Sequence, residues 1–236
     1  MLIKFKKYYS PNFEIKKRRK KAIKFIILHY TGMRKEKSAL NRLTSFNTNV
    51  SCHYFINYKG EVFNLVPELY TSWHAGKSDW RGEKNLNKKS IGIEISNPGH
   101  DHNYRKFNQK QINSLVYLIG QLVKKYKIKK ENILGHSDIA PDRKKDPGEK
   151  FPWKVIYLKK LSIWHKLKER DLKLLRNKIC QPIEIREFIK NLKKIGYKSK
   201  NNVSIINAFQ RRFRQVLING KIDKECLIIS RSISKN

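Results

Sequence analysis

The sequence predicts an α/β fold, in which helices flank a central mixed β-sheet, plus a small C-terminal domain of three helices. Three observations support this prediction. Several short segments are almost wholly apolar, as strands buried in a sheet are. A long amphipathic segment lies between two of them, and one pair of alternating segments carries a hairpin signal. The 236 residues allow one large or two small domains.

The first half of the chain supplies a strand, a helix and a hairpin. Residues 23–30 are near-continuously apolar and predict a buried central strand. Residues 38–47 predict a helix with leucines on one face. Residues 53–58 and 61–66 alternate around Lys59-Gly60, which favours a hairpin.

The next segments predict a half-polar strand and the clearest helix. Residues 90–96 alternate isoleucines with small or polar residues, among them Glu94. A glutamate is costly to bury unpaired, so Glu94 lies either on a solvent face or at a site. Residues 108–126 carry apolar side chains at helical spacing. Residues 132–135 then predict a short buried strand.

Residues 135–148 form a segment rich in chemically active side chains. Pro141 and Pro147 exclude a regular helix or central strand across it, so we expect a shaped loop. His136 follows one predicted strand, and His29 lies at the end of another, where open α/β sheets bind ligands. Together with Asp146 they have the composition of a three-ligand catalytic zinc site. The alternative is two core or surface histidines and a turn-forming aspartate.

Three motifs decide between these interpretations. They are His29-Tyr30-Thr31 after an apolar strand, Ser90-Ile91-Gly92-Ile93-Glu94, and Gly135-His136-Ser137-Asp138 continuing through Lys144-Lys145-Asp146-Pro147-Gly148. With them, residues 10–165 resemble the zinc-dependent N-acetylmuramoyl-L-alanine amidases. This superfamily includes bacterial muropeptide amidases, phage lysozyme-type amidases and animal peptidoglycan recognition proteins.

The resemblance implies a reaction and roles for residues. A zinc ion held by His29, His136 and Asp146 would activate a water to hydrolyse the amide between the lactyl group of N-acetylmuramic acid and L-alanine. Glu94 would transfer the proton, and Lys144 would help to stabilise the oxyanion. The partner is then peptidoglycan or a muropeptide. A surface lysine is the alternative for Lys144.

The resemblance also suggests contacts with substrate. Ser51-Cys52-His53 matches a pattern of the family's hairpin, so His53 either faces the substrate or is a strand histidine satisfied by a neighbour. A Trp-His-Ala-Gly segment borders the family's cleft, which makes Trp73, His74 and Trp80 candidates. Exposed aromatic rings suit a groove that binds sugar or peptide. In the alternative, both tryptophans cap the core.

The sequence pattern changes after about residue 165, where basic amphipathic segments follow. We predict a basic lead-in over residues 1–22, a catalytic domain over 23–165, a linker with a helix over 166–184 and a helical domain over 185–236. The last segment resembles the small three-helix peptidoglycan-binding domain, although residues 198–202 replace its usual glycine-rich turn. Alternatively, it is a helical appendage that stabilises the catalytic domain.

Composition limits partners and compartment. The net charge of +35 is spread along the chain, so it favours attraction to anionic envelope surfaces over specific nucleic-acid binding. Three cysteines without CxxC spacing argue against a disulfide framework. The sequence shows no signal peptide and no membrane span, which predicts a cytoplasmic protein; export by a route without a recognisable signal is the alternative. A recognition module without catalysis is the alternative function.

Overall fold

The computed structural model describes residues 5–235, so the first four residues of the predicted lead-in and Asn236 lie outside the described residues. The strands are β1 Phe5–Lys7, β2 Phe13–Glu14, β3 Phe25–Tyr30, β4 Tyr54–Ile56, β5 Val62–Asn64, β6 Thr71–Ser72, β7 Asp79–Trp80, β8 Glu83–Lys84, β9 Ser90–Ile95 and β10 Ile133–Gly135. The α-helices are α1 Glu36–Thr44, α2 Gln109–Tyr126, α3 His136–Ile139, α4 Trp153–Leu158, α5 Glu169–Leu175, α6 Pro182–Ile195, α7 Asn202–Phe213 and α8 Lys224–Ser234.

A six-stranded mixed sheet forms the centre of the fold, in the order β1-β5-β4-β9-β3-β10. Strands β4, β9, β3 and β10 are mutually parallel, and β5 pairs with β4 as the predicted antiparallel hairpin. The parallel strands therefore end at one common edge of the sheet. The predicted fold class, a mixed sheet flanked by helices, is confirmed.

Strand β3 is almost wholly apolar because both of its faces are buried. Ile26 and Leu28 lie in one core cluster with α2, whereas Phe25 and Ile27 lie in a second cluster with the C-terminal helices. Alternate side chains of a strand point to opposite faces, so both faces need apolar residues here. His29 continues the face that is turned towards the C-terminal helices.

The amino-terminal segment is more ordered than a solvated lead-in. Strand β1 extends the edge of the sheet by pairing in parallel with β5, and β2 pairs with β6. Within the basic run, Arg18 donates hydrogen bonds to the carbonyl oxygens of Glu68 and Asn87. Arg18 of the predicted basic lead-in is therefore half-buried.

Helices α6 and α8 begin at residues that favour a helix start. Pro182 occupies the first turn of α6, and the Gln181–Glu184 capping box closes its amino end. Asp223 caps α8 by accepting a hydrogen bond from the backbone of Cys226. All three cysteines are free and buried.

The C-terminal helices share a core with the sheet. Phe188, Leu192 and Phe209 belong to the same buried cluster as Ile27 and Leu134. The proposed division into domains stays a prediction, but this packing joins the last helices to the face of the sheet that carries His29. Within residues 5–235, none of the helices has the length and apolarity needed to cross a membrane.

A pair of glycine substitutions tests this shared core. Gly196 ends α6 at a φ of +137°, and a Cβ there would lie 2.7 Å from Cε2 of Trp80. We expect Gly196→Ala to lower the free energy of unfolding by about 1–3 kcal/mol, through backbone strain and overpacking. Urea denaturation followed by tryptophan fluorescence measures this change.

Gly120 provides the matched control, since it lies inside α2 and a methyl group there would meet no neighbouring segment within 4 Å. Gly120→Ala should raise the free energy of unfolding by about 0.5–1 kcal/mol, because alanine loses less conformational entropy in a helix. If Gly196→Ala were as stable as the unaltered chain, the close packing of Gly196 against Trp80 would be contradicted.

Candidate metal centre

The common edge of the parallel strands brings three motifs together. His29 pairs in register with Glu94 across β3 and β9, so the two side chains share one face of the sheet. Strand β10 pairs with β3 and ends at Gly135, which places His136 directly beyond that edge. This is the edge at which open α/β sheets bind ligands.

Three buried ligand atoms converge at this edge. His29 Nδ1 lies 2.9 Å from His136 Nδ1 and 2.9 Å from Asp146 Oδ2. His136 Nδ1 lies 3.1 Å from the same carboxylate oxygen. Among the described residues, these three are the group of histidine, cysteine and carboxylate side chains placed to hold a metal ion.

A chain of hydrogen bonds sets the tautomer of His29. The Ser90 hydroxyl donates to the carbonyl oxygen of Leu86 at 2.6 Å, because a carbonyl can only accept. Ser90 Oγ therefore accepts from His74 Nε2 at 3.1 Å, and His74 Nδ1 accepts from His29 Nε2 at 3.0 Å. His29 Nδ1 is then left with a lone pair that faces the other two ligand atoms.

Gly92 makes this chain possible. A Cβ at Gly92 would lie 2.4 Å from Cγ of His74, so the imidazole of His74 occupies the space above the strand where a side chain would be. Ser90, Gly92 and Glu94 alternate along one face of β9. Ser90 accepts a hydrogen bond from His74, Gly92 leaves room for the His74 ring, and Glu94 lines the cleft at the site.

His136 presents its lone pair in the same way. Its Nε2 donates to the carbonyl oxygen of Ala75 at 3.1 Å, which leaves Nδ1 unprotonated in the neutral ring. Three acceptor atoms so close together repel one another unless a positive charge, a proton or a metal ion, lies between them. Tetrahedral zinc ligands at about 2.0–2.1 Å from the ion are roughly 3.3 Å apart, so the donor set fits zinc.

The helical turn that carries His136 is bound to the backbone of Asp146. His136 opens α3, and the backbone N–H of the next residue, Ser137, donates to the carbonyl oxygen of Asp146 at 2.8 Å. The segment between them passes through the loop predicted from Pro141 and Pro147. His136 and Asp146 are thus linked through the backbone as well as through their side chains.

The surroundings shift the pKa values of two ligands. Burial lowers the pKa of His29 to about 4, a proton on His136 adds to the shift, and Asp146 opposes it. For Asp146, burial alone would raise the pKa. The attraction and hydrogen bond that a protonated His136 offers in the absence of a metal ion outweigh that effect and hold the pKa of Asp146 well below its usual range. Both side chains therefore favour the forms that bind a metal ion.

A cleft of about 600 Å³ opens onto the three-residue group. His136, Asp146, Glu94 and Lys144 line it. Burial raises the pKa of Glu94 well above its usual range, the charge of Asp146 adds to the rise, and Lys144 opposes it. The buried Oε2 atom of Glu94 has no hydrogen-bond partner among residues 5–235. A carboxylate of this kind is suited to exchange a proton with a group bound in the cleft.

The cleft differs from the predicted set of substrate contacts. His74 lines it, but His53, Trp73 and Trp80 are not among its lining residues. The role of His74 as a donor–acceptor link behind His29 was not predicted, because sequence spacing does not show which ring lies over which glycine. The alternation of Ser90, Gly92 and Glu94 is the one signal that could have suggested it.

His53 lies where the alternative interpretation placed it. Its side chain is fully buried, its Nδ1 accepts from the Gly92 N–H and the Ser72 hydroxyl, and its Nε2 donates to the carbonyl oxygen of Tyr70. Direct contact with a substrate is therefore wrong for His53. It is a strand histidine that its neighbours satisfy.

The two tryptophans also differ from the prediction. Trp80 is 1% exposed and packs edge-on against Tyr197 with ring centroids 5.1 Å apart. Trp80 therefore packs in the core shared with the C-terminal helices. This agrees with the alternative interpretation, in which it caps the core. Trp73 is half-buried outside the lining of the cleft.

Sequence comparison identifies relatives of this chain. A family model described as N-acetylmuramoyl-L-alanine amidase matches residues 19–149. The N-acetylmuramoyl-L-alanine amidase AmiD of Escherichia coli is 34% identical over 89% of this chain and 82% of its own length. The 1,6-anhydro-N-acetylmuramyl-L-alanine amidase AmpD of Haemophilus influenzae is 31% identical over 61% of this chain and 85% of its own.

The similar solved structures include one of these relatives. The complex of Escherichia coli AmiD with the substrate anhydro-N-acetylmuramic acid-L-Ala-D-gamma-Glu-L-Lys matches with a TM-score of 0.79 and 32% identity, over 91% of this chain and 89% of that one. AMPDH3 of Pseudomonas aeruginosa in complex with anhydromuramic pentapeptide also has a TM-score of 0.79, at 29% identity, over 95% and 96% of the two chains.

The buried state of His53 predicts a dependence of stability on pH. Burial, with the nearby charge of Arg18, lowers the pKa of His53 well below its usual value near 6.5. As the pH falls through 6.5, the unfolded chain binds a proton that the folded chain does not, so the folded state loses stability. Between pH 7 and pH 5 this histidine should cost about 2 kcal/mol.

A substitution isolates that contribution. In His53→Asn, the free energy of unfolding should fall by about 2 kcal/mol less than in the unaltered chain between pH 7 and pH 5. Urea denaturation in the presence of a chelator measures both. Ser72→Ala is the control, because it removes a hydrogen bond to the same ring but leaves the ring able to titrate. Equal pH dependence in His53→Asn and the unaltered chain would refute the assignment.

Proposed function

The chain belongs to the N-acetylmuramoyl-L-alanine amidase family, and from that membership we propose that His29, His136 and Asp146 hold the zinc ion with which it works. The chain hydrolyses the amide bond between the lactyl group of N-acetylmuramic acid and the L-alanine of the stem peptide. The observation that supports the zinc site most is the convergence of three acceptor atoms within 3.1 Å of one another.

Zinc, when bound, supplies a Lewis acid that lowers the pKa of a coordinated water to about 7. The protein's part is to orient the ligands and to move the proton. His74 and Ala75 fix the imidazoles of His29 and His136 with their Nδ1 lone pairs towards the ion.

Glu94 is the proposed proton carrier. It shares the face of His29, lines the cleft and has a buried oxygen without a hydrogen-bond partner among the described residues. It accepts the proton of the attacking water and returns it to the nitrogen of the leaving L-alanine, which departs as a neutral amine. Its carboxyl group therefore ends the cycle in the state in which it began.

Lys144 is the proposed stabiliser of negative charge. It lies two residues before Asp146 and lines the cleft with that ligand. As the water adds to the lactyl carbonyl, the carbonyl oxygen becomes negative, and a cation held beside it lowers the energy of that state. The half-buried position of Lys144 strengthens the interaction by excluding part of the solvent.

The substrate we propose for the cleft is a muramyl peptide, including the anhydro form. Two relatives of similar fold were solved with anhydromuramyl peptides. The cleft is also lined by Arg42, Arg143, Lys144 and Lys145. These four cations complement the carboxylates of a stem peptide. Release of peptides from intact sacculi is the other use of the same chemistry.

Metal analysis with two substrates tests the zinc site. The purified chain should contain about one zinc ion and should release stem peptides from a soluble anhydro-muropeptide or from sacculi, and chelation should abolish the reaction. His136→Ala should lose both the zinc and the activity. A chain that contains no zinc and cleaves neither substrate, yet still binds sacculi, would be a recognition module instead. The preferred substrate would distinguish recycling from wall remodelling.

Two further variants test the assigned roles. Glu94→Gln should keep its zinc and lose about 10²–10⁴-fold in kcat, because it no longer transfers a proton. Lys144→Met should lose roughly 10²–10³-fold in kcat. Lys145→Met is the matched comparison: Lys145 lines the same cleft but is exposed, so its loss should raise KM and leave kcat nearly unchanged. Steady-state kinetics with measured zinc content decide the matter, and a Glu94→Gln enzyme of normal kcat would exclude Glu94 as the proton carrier.

A further inference from the structure

We propose that the C-terminal helical segment positions the metal-binding turn, and that Arg212 and Tyr197 act on it through the carboxylate of Asp138. They are positioning residues: they lie behind the turn and do not line the cleft. This inference rests on the proposed zinc site and adds a role for residues 197–213. They belong to the segment that resembles a peptidoglycan-binding domain, for which a stabilising helical appendage was the alternative.

The carboxylate of Asp138 is the point of contact. It is 1% exposed and accepts hydrogen bonds from three donors. One donor belongs to its own turn, the backbone N–H of Gly135 at 2.7 Å from Oδ2. The other two come from the C-terminal segment: the hydroxyl of Tyr197, 2.7 Å from Oδ1, and the guanidinium of Arg212, which pairs with Oδ2.

Arg212 is buried and is held by several contacts. It is 2% exposed, a rare state for an arginine unless it is paired. Its second terminal nitrogen donates to the carbonyl oxygen of Ile133 at 2.9 Å, and its guanidinium lies 4.3 Å from the ring centroid of Trp153. The side chain of Arg212 in α7 therefore contacts β10, α3 and α4.

Asp138 is rigidly connected to the metal ligands. It is the third residue of α3 and His136 is the first, so Asp138 and this ligand lie in the same helical turn. Ser137, between them, donates its backbone N–H to the carbonyl oxygen of Asp146 at 2.8 Å. A rotation of this turn would move His136 and Asp146 together relative to His29, which is fixed in β3.

The chain also contains an internal comparison. Arg214 lies two residues beyond Arg212, is equally buried at 2% exposure, and also pairs with a buried aspartate, Asp223. Its partners Asp223 and Asn219 belong to the C-terminal segment itself. Loss of either arginine leaves a buried carboxylate without its cation. The loss of Arg212, unlike that of Arg214, disturbs the turn that carries His136.

The experiment compares zinc affinity among full-length variants by competition with a chromophoric chelator, with thermal unfolding measured in parallel on the metal-free proteins. Arg212→Met should raise the zinc dissociation constant roughly tenfold to a hundredfold, the range found when groups that orient metal ligands are removed. Arg214→Met should lower the unfolding temperature but leave the zinc dissociation constant of the folded protein within about twofold. Arg212→Lys, which restores one charge, should recover part of the affinity.

Tyr197→Phe serves where Arg212→Met does not fold, because it removes one hydroxyl and keeps the ring. It should weaken zinc binding severalfold. The proposal is overturned if Arg212→Met, or Tyr197→Phe in its place, binds zinc as tightly as Arg214→Met or the unaltered chain. An unaltered chain that binds no zinc would overturn the metal site first, which is a distinct result from zinc binding that is insensitive to these variants.

Discussion

The structure depends on keeping three proton acceptors close together. His29 Nδ1, His136 Nδ1 and Asp146 Oδ2 lie within 3.1 Å of one another, an arrangement that is repulsive until a cation occupies it. A flexible chain would relax by turning the rings apart. The fold prevents this from three directions: β3 fixes His29, the turn of α3 fixes His136, and a backbone hydrogen bond ties Asp146 to that turn.

The polar layer behind the ligands is as necessary as the ligands. Ser90, His74 and Ala75 determine which nitrogen of each imidazole carries the proton, so the lone pairs that face the cleft follow from hydrogen bonds outside it. Gly92 provides the space for one of those rings. In the proposed zinc site, residues that do not touch the metal therefore determine how its ligands are presented.

Sequence reasoning was successful where a single residue type dictates the local physics. The apolar run at β3, the long amphipathic α2, the hairpin and the cap at Asp223 all follow from periodicity or from turn chemistry. The histidines at strand ends could be located for the same reason. The burial of His53 and Trp80 could not be predicted, because it depends on which distant segments cover them. Arg18 and Tyr70 contact His53, and Tyr197 packs against Trp80. The resemblance to a family supplied the candidates, and packing separated them.

The contact between Asp138 and α7 has a consequence for the order in which the protein is made. A ribosome releases the sheet and the ligand-bearing turn first, and Tyr197 and Arg212 emerge only after α4, α5 and α6 have been made. Until then, the carboxylate of Asp138 lacks two of its three donors. The turn that carries His136 therefore gains its full set of hydrogen-bond donors only after α7 has been made.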